Sequence, residues 1–174
     1  MATKKQTDQF AQIAYMAVTE TAADTLTFAQ LQLANNLLSE KAAIIIHRVE
    51  IFADLSATLL NTGNDSAACA LVMSDRVTDI TDLSQPEVIF FRRYRRIDFG
   101  TAATAIVHEQ PDVLDFSNLP GTGIIIPADR LYIGSKGNGE GAAATFRFRL
   151  WYTVKPLDVA DYWDLIEARR VMTS

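Results

Sequence analysis

A chain of 174 residues is about one domain's worth and long enough to close a single hydrophobic core. Its 16 Lys and Arg against 21 Asp and Glu leave a formal net charge of −5, which excludes a basic nucleic-acid coat. With 49% hydrophobic and 21% charged residues the composition is that of an ordinary globular protein, and one cysteine, Cys69, excludes an intramolecular disulfide framework.

Lys4 and Lys5 precede a partly apolar stretch, residues 10–18, that Gln12 interrupts. A secretory signal wants a cleaner apolar block and an early small-residue cleavage site, so the reading is a structured N-terminal arm. Phe10, Ile13 and Ala17 are spaced like a helix face, whereas Leu26, Phe28 and Leu33 look strand-like, which gives an arm plus one or two strands. The purest apolar run, residues 42–46, falls far short of the about 20 residues that a membrane-spanning helix needs.

That run opens the first clear strand, residues 42–53 (AAIIIHRVEIFA). Strict alternation puts Ile44, Ile46, Arg48, Glu50 and Phe52 on one face and Ile45, His47, Val49 and Ile51 on the other. Turn chemistry at residues 61–65 leads into a second apolar run, 67–73. Strands are expected at 87–99 after Pro86 and at 101–109 before Pro111, because proline lacks the N–H that a central ladder needs. Short strands follow at 113–116, 124–126 and 131–133, separated by the Leu119-Pro-Gly-Thr-Gly123 turn and by Pro127. Gly134, Gly137, Gly139 and Gly141, with Lys136 among them, predict a flexible loop. In residues 142–154 (AAATFRFRLWYTV), Phe146, Phe148 and Leu150 alternate with Thr145, Arg147 and Arg149, a strand with one buried and one wet face. After Pro156 the period changes, and Val159, Tyr162, Trp163 and Ile166 follow Asp158, a natural N-cap, as a short helix. About eight strands with turns between them and no interleaved helices define an all-β sandwich or barrel.

No catalytic constellation stands out. His47 and His108 are the only histidines and neither has a second His or Cys at ligand spacing, so both are read as structural. Asp158, Asp161 and Asp164 lack the glycine-containing loop of a calcium site and suit the positive end of a helix dipole. The 134–141 segment matches neither phosphate-binding glycine motif and is followed by a strand, which makes a strand connection the better reading. Residues 119–123 fit a sortase substrate pattern and Asn64-Asp-Ser66 a glycosylation sequon, but neither stands in the context that such a signal requires. There is no Ser-His-Asp arrangement, nucleophile elbow or Ser-x-x-Lys pair, so no enzyme and no cofactor are expected. The sharpest charge feature is Arg92-Arg93-Tyr94-Arg95-Arg96, joined by Arg147 with Arg149. In an acidic chain these arginines are expected to pair with carboxylates, within the chain or across a subunit interface, rather than with nucleic acid.

The segments VTETAADTLTFAQLQLANNLLSEKAAIIIHRVE (18–50) and IIIPADRLYIGSKGNGEGAAATFRFRLWYTVKPL (124–157) give the chain a layout that resembles the small single-jelly-roll major capsid proteins of tailless icosahedral double-stranded DNA viruses of bacteria and archaea. The resemblance lies in strand order, a glycine-rich penultimate segment and a long final strand. It implies a single jelly roll at residues 39–157, preceded by an arm with the first strand or strands (1–38) and followed by a helix on or beside the sandwich (158–174). It also implies a capsid subunit, made in the host cytoplasm and residing in the virion, that assembles with itself through sheet edges, loops and terminal extensions. A second coat, penton or spike protein and an internal membrane layer are the further contacts implied. Direct nucleic-acid binding is not expected, since the first 40 residues hold Lys4 and Lys5 as their only cations. Two alternatives share the strand grammar: a phage decoration, spike or tail-associated β-sandwich, and a carbohydrate-binding jelly roll using Trp151 and Tyr152.

Overall fold

The computed structural model describes residues 11–31, 42–54, 66–95, 111–119, 122–127 and 131–171, with side chains up to residue 167. Among them are nine strands and one helix: β1 (Gln12–Thr19), β2 (Thr27–Gln30), β3 (Ala42–Asp54), β4 (Ser66–Val72), β5 (Val88–Arg95), β6 (Asp112–Asp115), β7 (Ile124–Pro127), β8 (Tyr132–Asn138), β9 (Thr145–Pro156) and α1 (Val159–Val171). No helix among them is long and apolar enough to cross a membrane.

The strands form two antiparallel sheets. The first runs β1-β9-β3, with β6 and β7 both pairing with the far side of β3, and the second runs β2-β8-β4-β5. Consecutive strands thus jump between sheets (β1 to β2, β3 to β4, β8 to β9), which is the connectivity of a single jelly-roll sandwich. Ala14, Val18, Ile44, Ile46, Phe146, Phe148, Leu150 and Tyr152 from the first sheet pack on Ala67, Cys69, Leu71 and Ile133 from the second. Burying a side chain the size of Phe or Ile contributes about 1.5–3 kcal/mol, so this shared interior dominates stability. Tyr94 ties one side shut: its ring lies 5.8 Å from that of Phe146, and its hydroxyl donates to Asp112 Oδ2 at 2.7 Å, joining edge strand β5 to β6 across the sheets.

A second, smaller core lies outside the second sheet. Val77 and Ile80, from the 73–87 connection, cover Ala68, Ala70, Val72 and Tyr132. This explains why all seven residues of β4 are buried: both of its faces are covered.

Three features differ from simple alternation. In β3 the register to β9 shifts between Ile46 and Arg48, so His47 is an extra residue and the inward side changes parity: Ile44 and Ile46 point inward before it, Val49 and Ile51 after it. The two faces expected for residues 42–53 are therefore mixed. In β1, Ala14, Met16 and Val18 face the core with a period of two, and Ile13 and Ala17 lie together on the outer side of a strand, not on a helix face. In β8 the ladder to β4 continues through Asn138, so Gly134, Lys136 and Gly137 lie in a strand rather than in the expected loop. The reason is close packing. A side chain at Gly134 would overlap Ile80 and Phe28, and one at Gly137 would overlap Glu140. Only then does the chain turn, at Gly139 with φ 76° and at Gly141.

Candidate assembly surfaces

Among the described residues, the outer side of the first sheet is the side turned away from the second sheet. Strand pairing lays it out as rows: Asp115, Arg48, Trp151 and Ile13; then Val113, Glu50, Arg149 and Tyr15; then Phe52, Arg147 and Ala17. Ile13, Tyr15, Phe52 and Val113 are all exposed, Tyr15 to 63%. Between them runs a charged seam. Glu50 takes Arg48 on one carboxylate oxygen at 2.6 Å and Arg149 on the other at 3.2 Å, and Arg147 lies 3.6 Å from Asp54. The Arg48 and Arg149 guanidiniums sit 5.1 and 5.6 Å from the Trp151 ring centre, and Arg149 also lies 5.2 Å from that of Tyr15. Arg147 and Arg149, expected at an intersubunit contact, thus carry ion pairs within their own chain.

The arginine run is divided by the pleat. Arg92 pairs with Cys69 and lies on the core side of edge strand β5, while Arg93 and Arg95 pair with Ala68 and Ser66 on the outer side. Arg96 lies outside the described residues, as do His108 and the strand expected at 101–109. Across β4 from Arg93 and Arg95 stand Lys136 and Asn138 of β8. The small residues of β4 between them leave a depression of about 500 Å3, lined by Ser66, Ala68, Arg93, Arg95, Lys136 and Asn138, with Asp79 and Thr81 from the 73–87 connection. Asp79 Oδ1 accepts from the Thr81 amide at 2.9 Å and its hydroxyl at 2.8 Å. These bonds, helped by the nearby Lys136 and Arg93, hold the Asp79 carboxyl below its ordinary range. Sequence reasoning noted Lys136 and the arginines separately and missed their meeting; the signal was the parity of Arg93, Arg95 and Lys136 on strands flanking a run of small residues.

The remaining candidates take structural places. His47 binds the Thr122 carbonyl through Nδ1 (2.8 Å) and the Thr153 hydroxyl through Nε2 (2.9 Å). Burial pushes the Cys69 thiol far above its ordinary range, which leaves it unreactive. Burial and the Asp112 hydrogen bond raise the Tyr94 phenol likewise. Asp158 Oδ1 accepts the Asp161 amide at 2.8 Å and caps α1. The helix lies beside β7 and turns Tyr162, Leu165 and Ile166 toward the body, leaving Val159, Asp161, Trp163, Asp164 and Glu167 exposed. Among the described residues no group of three or more His, Cys, Asp or Glu side chains is placed to hold a metal.

Compared with protein-family models and with curated proteins, the chain matches none. Among solved structures it is similar to a chain of tomato aspermy virus, at 12% identity and a TM-score of 0.47, over 91% of this chain and 84% of that one. It is also similar to a chain of maize chlorotic mottle virus, at 11% identity and a TM-score of 0.32, over 86% of this chain and 94% of that one. A chain of empty-head turnip yellow mosaic virus gives 11% identity and a TM-score of 0.32, over 90% of this chain and 88% of that one. Identities of this size lie below the range in which residue roles transfer.

Proposed function

We propose that the protein is a structural subunit of a viral shell, built to associate with copies of itself rather than to catalyse a reaction. The observation that carries this reading is the first sheet's outer side. Ile13, Tyr15, Phe52 and Val113 are exposed on a pleated surface whose arginines are ion-paired within the chain, and α1 adds Trp163 at 56% exposure. Exposed apolar side chains flanking an ion-paired seam suit a protein partner. The jelly-roll strand order supports a capsid subunit, and the resemblance to capsid proteins of tailless double-stranded DNA viruses supplies the finer part of the proposal: an icosahedral shell, the virion as location, and a penton, spike or membrane layer as further neighbours. The segment 1–38 then contributes β1 and β2 to the tile, and the terminal helix is a docking element.

The carbohydrate-binding alternative loses its platform here, because Tyr152 is fully buried and Trp151 is overlaid by guanidinium groups. Negative-stain electron microscopy of concentrated protein across low and moderate salt tests the proposal. Rings, sheets or closed shells are expected. Uniform single particles at every concentration would favour a decoration or tail-associated module and overturn it.

A further inference from the structure

The depression outside the second sheet and the exposed side of α1 carry opposite charge and lie on different parts of the molecule. Arg93 and Lys136 stand on strands separated by β4, about 10 Å apart at normal strand spacing. That is roughly the width of an α-helix, about 10–12 Å. Ser66 and Ala68 between them are short enough to leave the space open. Among the described residues no carboxylate lies in ion-pair contact with Arg93, Arg95 or Lys136. Asp79, the one acid among the described lining residues, is engaged through Oδ1 by Thr81 and lies near enough to Lys136 and Arg93 to feel their charge without pairing with them.

The exposed side of α1 is the complement. Asp161, Asp164 and Glu167 follow one another at intervals of three residues, with no cation before Arg169, and span about 9 Å of helix. Arg93 and Arg95 are spaced about 7 Å along β5, within the length that the three acids span. Trp163 and Val159 are exposed beside these acids, and Leu83 is exposed on the same 73–87 connection that supplies Asp79 and Thr81. Each surface therefore offers charge together with an apolar neighbour.

We infer that the depression receives α1 of a second copy, with Asp161, Asp164 and Glu167 of one chain meeting Arg93, Arg95 and Lys136 of the next. This rests on the reading of the protein as a self-associating subunit and names one of its contacts. Because α1 lies beside β7 of the first sheet while the depression lies outside the second, the contact joins two different surfaces. Such head-to-tail contacts close into rings or propagate as open chains.

Charge reversal tests it by sedimentation velocity at low ionic strength, with circular dichroism melts reporting the fold. Arg93→Glu with Arg95→Glu is expected to weaken association at least tenfold, and so is Asp161→Lys with Asp164→Lys. The chain carrying all four changes is expected to regain association, since the complementarity is restored with its signs exchanged. If the reversal variant folds poorly, Arg93→Gln with Arg95→Gln removes the charge at similar side-chain size. Wild-type association unchanged by either pair, or no recovery in the fourfold variant, overturns the contact and leaves the subunit reading standing. A wild type that stays monomeric at all concentrations overturns both. Binding of inorganic phosphate or an oligonucleotide at Arg93 and Lys136, with helix variants associating normally, assigns the depression to a phosphate ligand and likewise overturns the contact.

Discussion

His47 joins the bulge of β3 to the turn that carries Thr122. A carbonyl oxygen only accepts, so the 2.8 Å bond to Thr122 places the ring proton on Nδ1, and in the neutral ring Nε2 accepts from the Thr153 hydroxyl at 2.9 Å. The same residue's carbonyl accepts the Phe116 amide at 2.8 Å, so His47 stands where β6 ends and the loop toward β7 departs. His47→Ala is expected to cost about 1–3 kcal/mol, from two lost side-chain bonds at about 0.5–1.5 kcal/mol each. Thr153→Val should remove part of this, and a double-mutant cycle by urea denaturation should show the two positions coupled.

The turn itself is under opposing constraints at adjacent residues. Thr122 holds φ 63°, a conformation that a β-branched side chain rarely adopts. Gly123 lies so close to β3 that a methyl group would overlap the Ile46 carbonyl. Thr122→Gly is therefore expected to be neutral or stabilising by up to about 1 kcal/mol, and Gly123→Ala to be destabilising by about 2 kcal/mol or more. Thermal melts of the two variants should move in opposite directions or, at the least, differ by several degrees.

The strands visible in the sequence were those whose side chains report one environment throughout. In residues 145–152 the alternation of Phe146, Phe148 and Leu150 with arginines matches β9, and the unbroken run of residues 67–72 matches a strand covered on both faces. Legibility failed where a distant segment decides the outcome. The parity change at His47 depends on how β6 and β7 share β3, and neither leaves a mark in the sequence of β3. Gly134 and Gly137 look like loop residues because the reason for their smallness lies in Ile80, Phe28 and Glu140. The arginine run suggested one surface, and the pleat made two. The depression was hidden for the same reason, because Lys136 meets Arg93 through sheet pairing rather than through nearness in the chain.

Glu20 supports the turn between β8 and β9 from the far end of the sequence. It is 3% exposed; one carboxylate oxygen accepts the Gly137 amide and the other the Ala144 amide, the latter at 3.0 Å. Glu20→Ala strands two buried amides and is expected to cost about 2–6 kcal/mol, at about 1–3 kcal/mol for each unsatisfied group. Glu20→Gln keeps one good acceptor and should lose less. Amide hydrogen exchange should show faster opening at Gly137 and Ala144 in both variants, with the larger change in Glu20→Ala.

Glu50 separates the two arginine surfaces experimentally. Its carboxylate is 9% exposed and is the shared partner of Arg48 and Arg149, so Glu50→Ala leaves two guanidiniums without their counter-charge on the first sheet. Removing one member of a largely buried ionic group costs about 3–5 kcal/mol, and the partly exposed arginines can reach water, so a loss of about 2–3 kcal/mol is expected. Arg149→Glu should be similarly harmful, because it sets two carboxylates against each other. Loss of assembly in an Arg149 variant would therefore report on folding first. Arg93→Glu, on an open surface with no ion pair among the described residues, should change the melting temperature by no more than a few degrees. If urea midpoints show Arg93→Glu as damaging as Glu50→Ala, the depression is part of the folded scaffold, and a defect in assembly at Arg93 could not be assigned to a contact between copies.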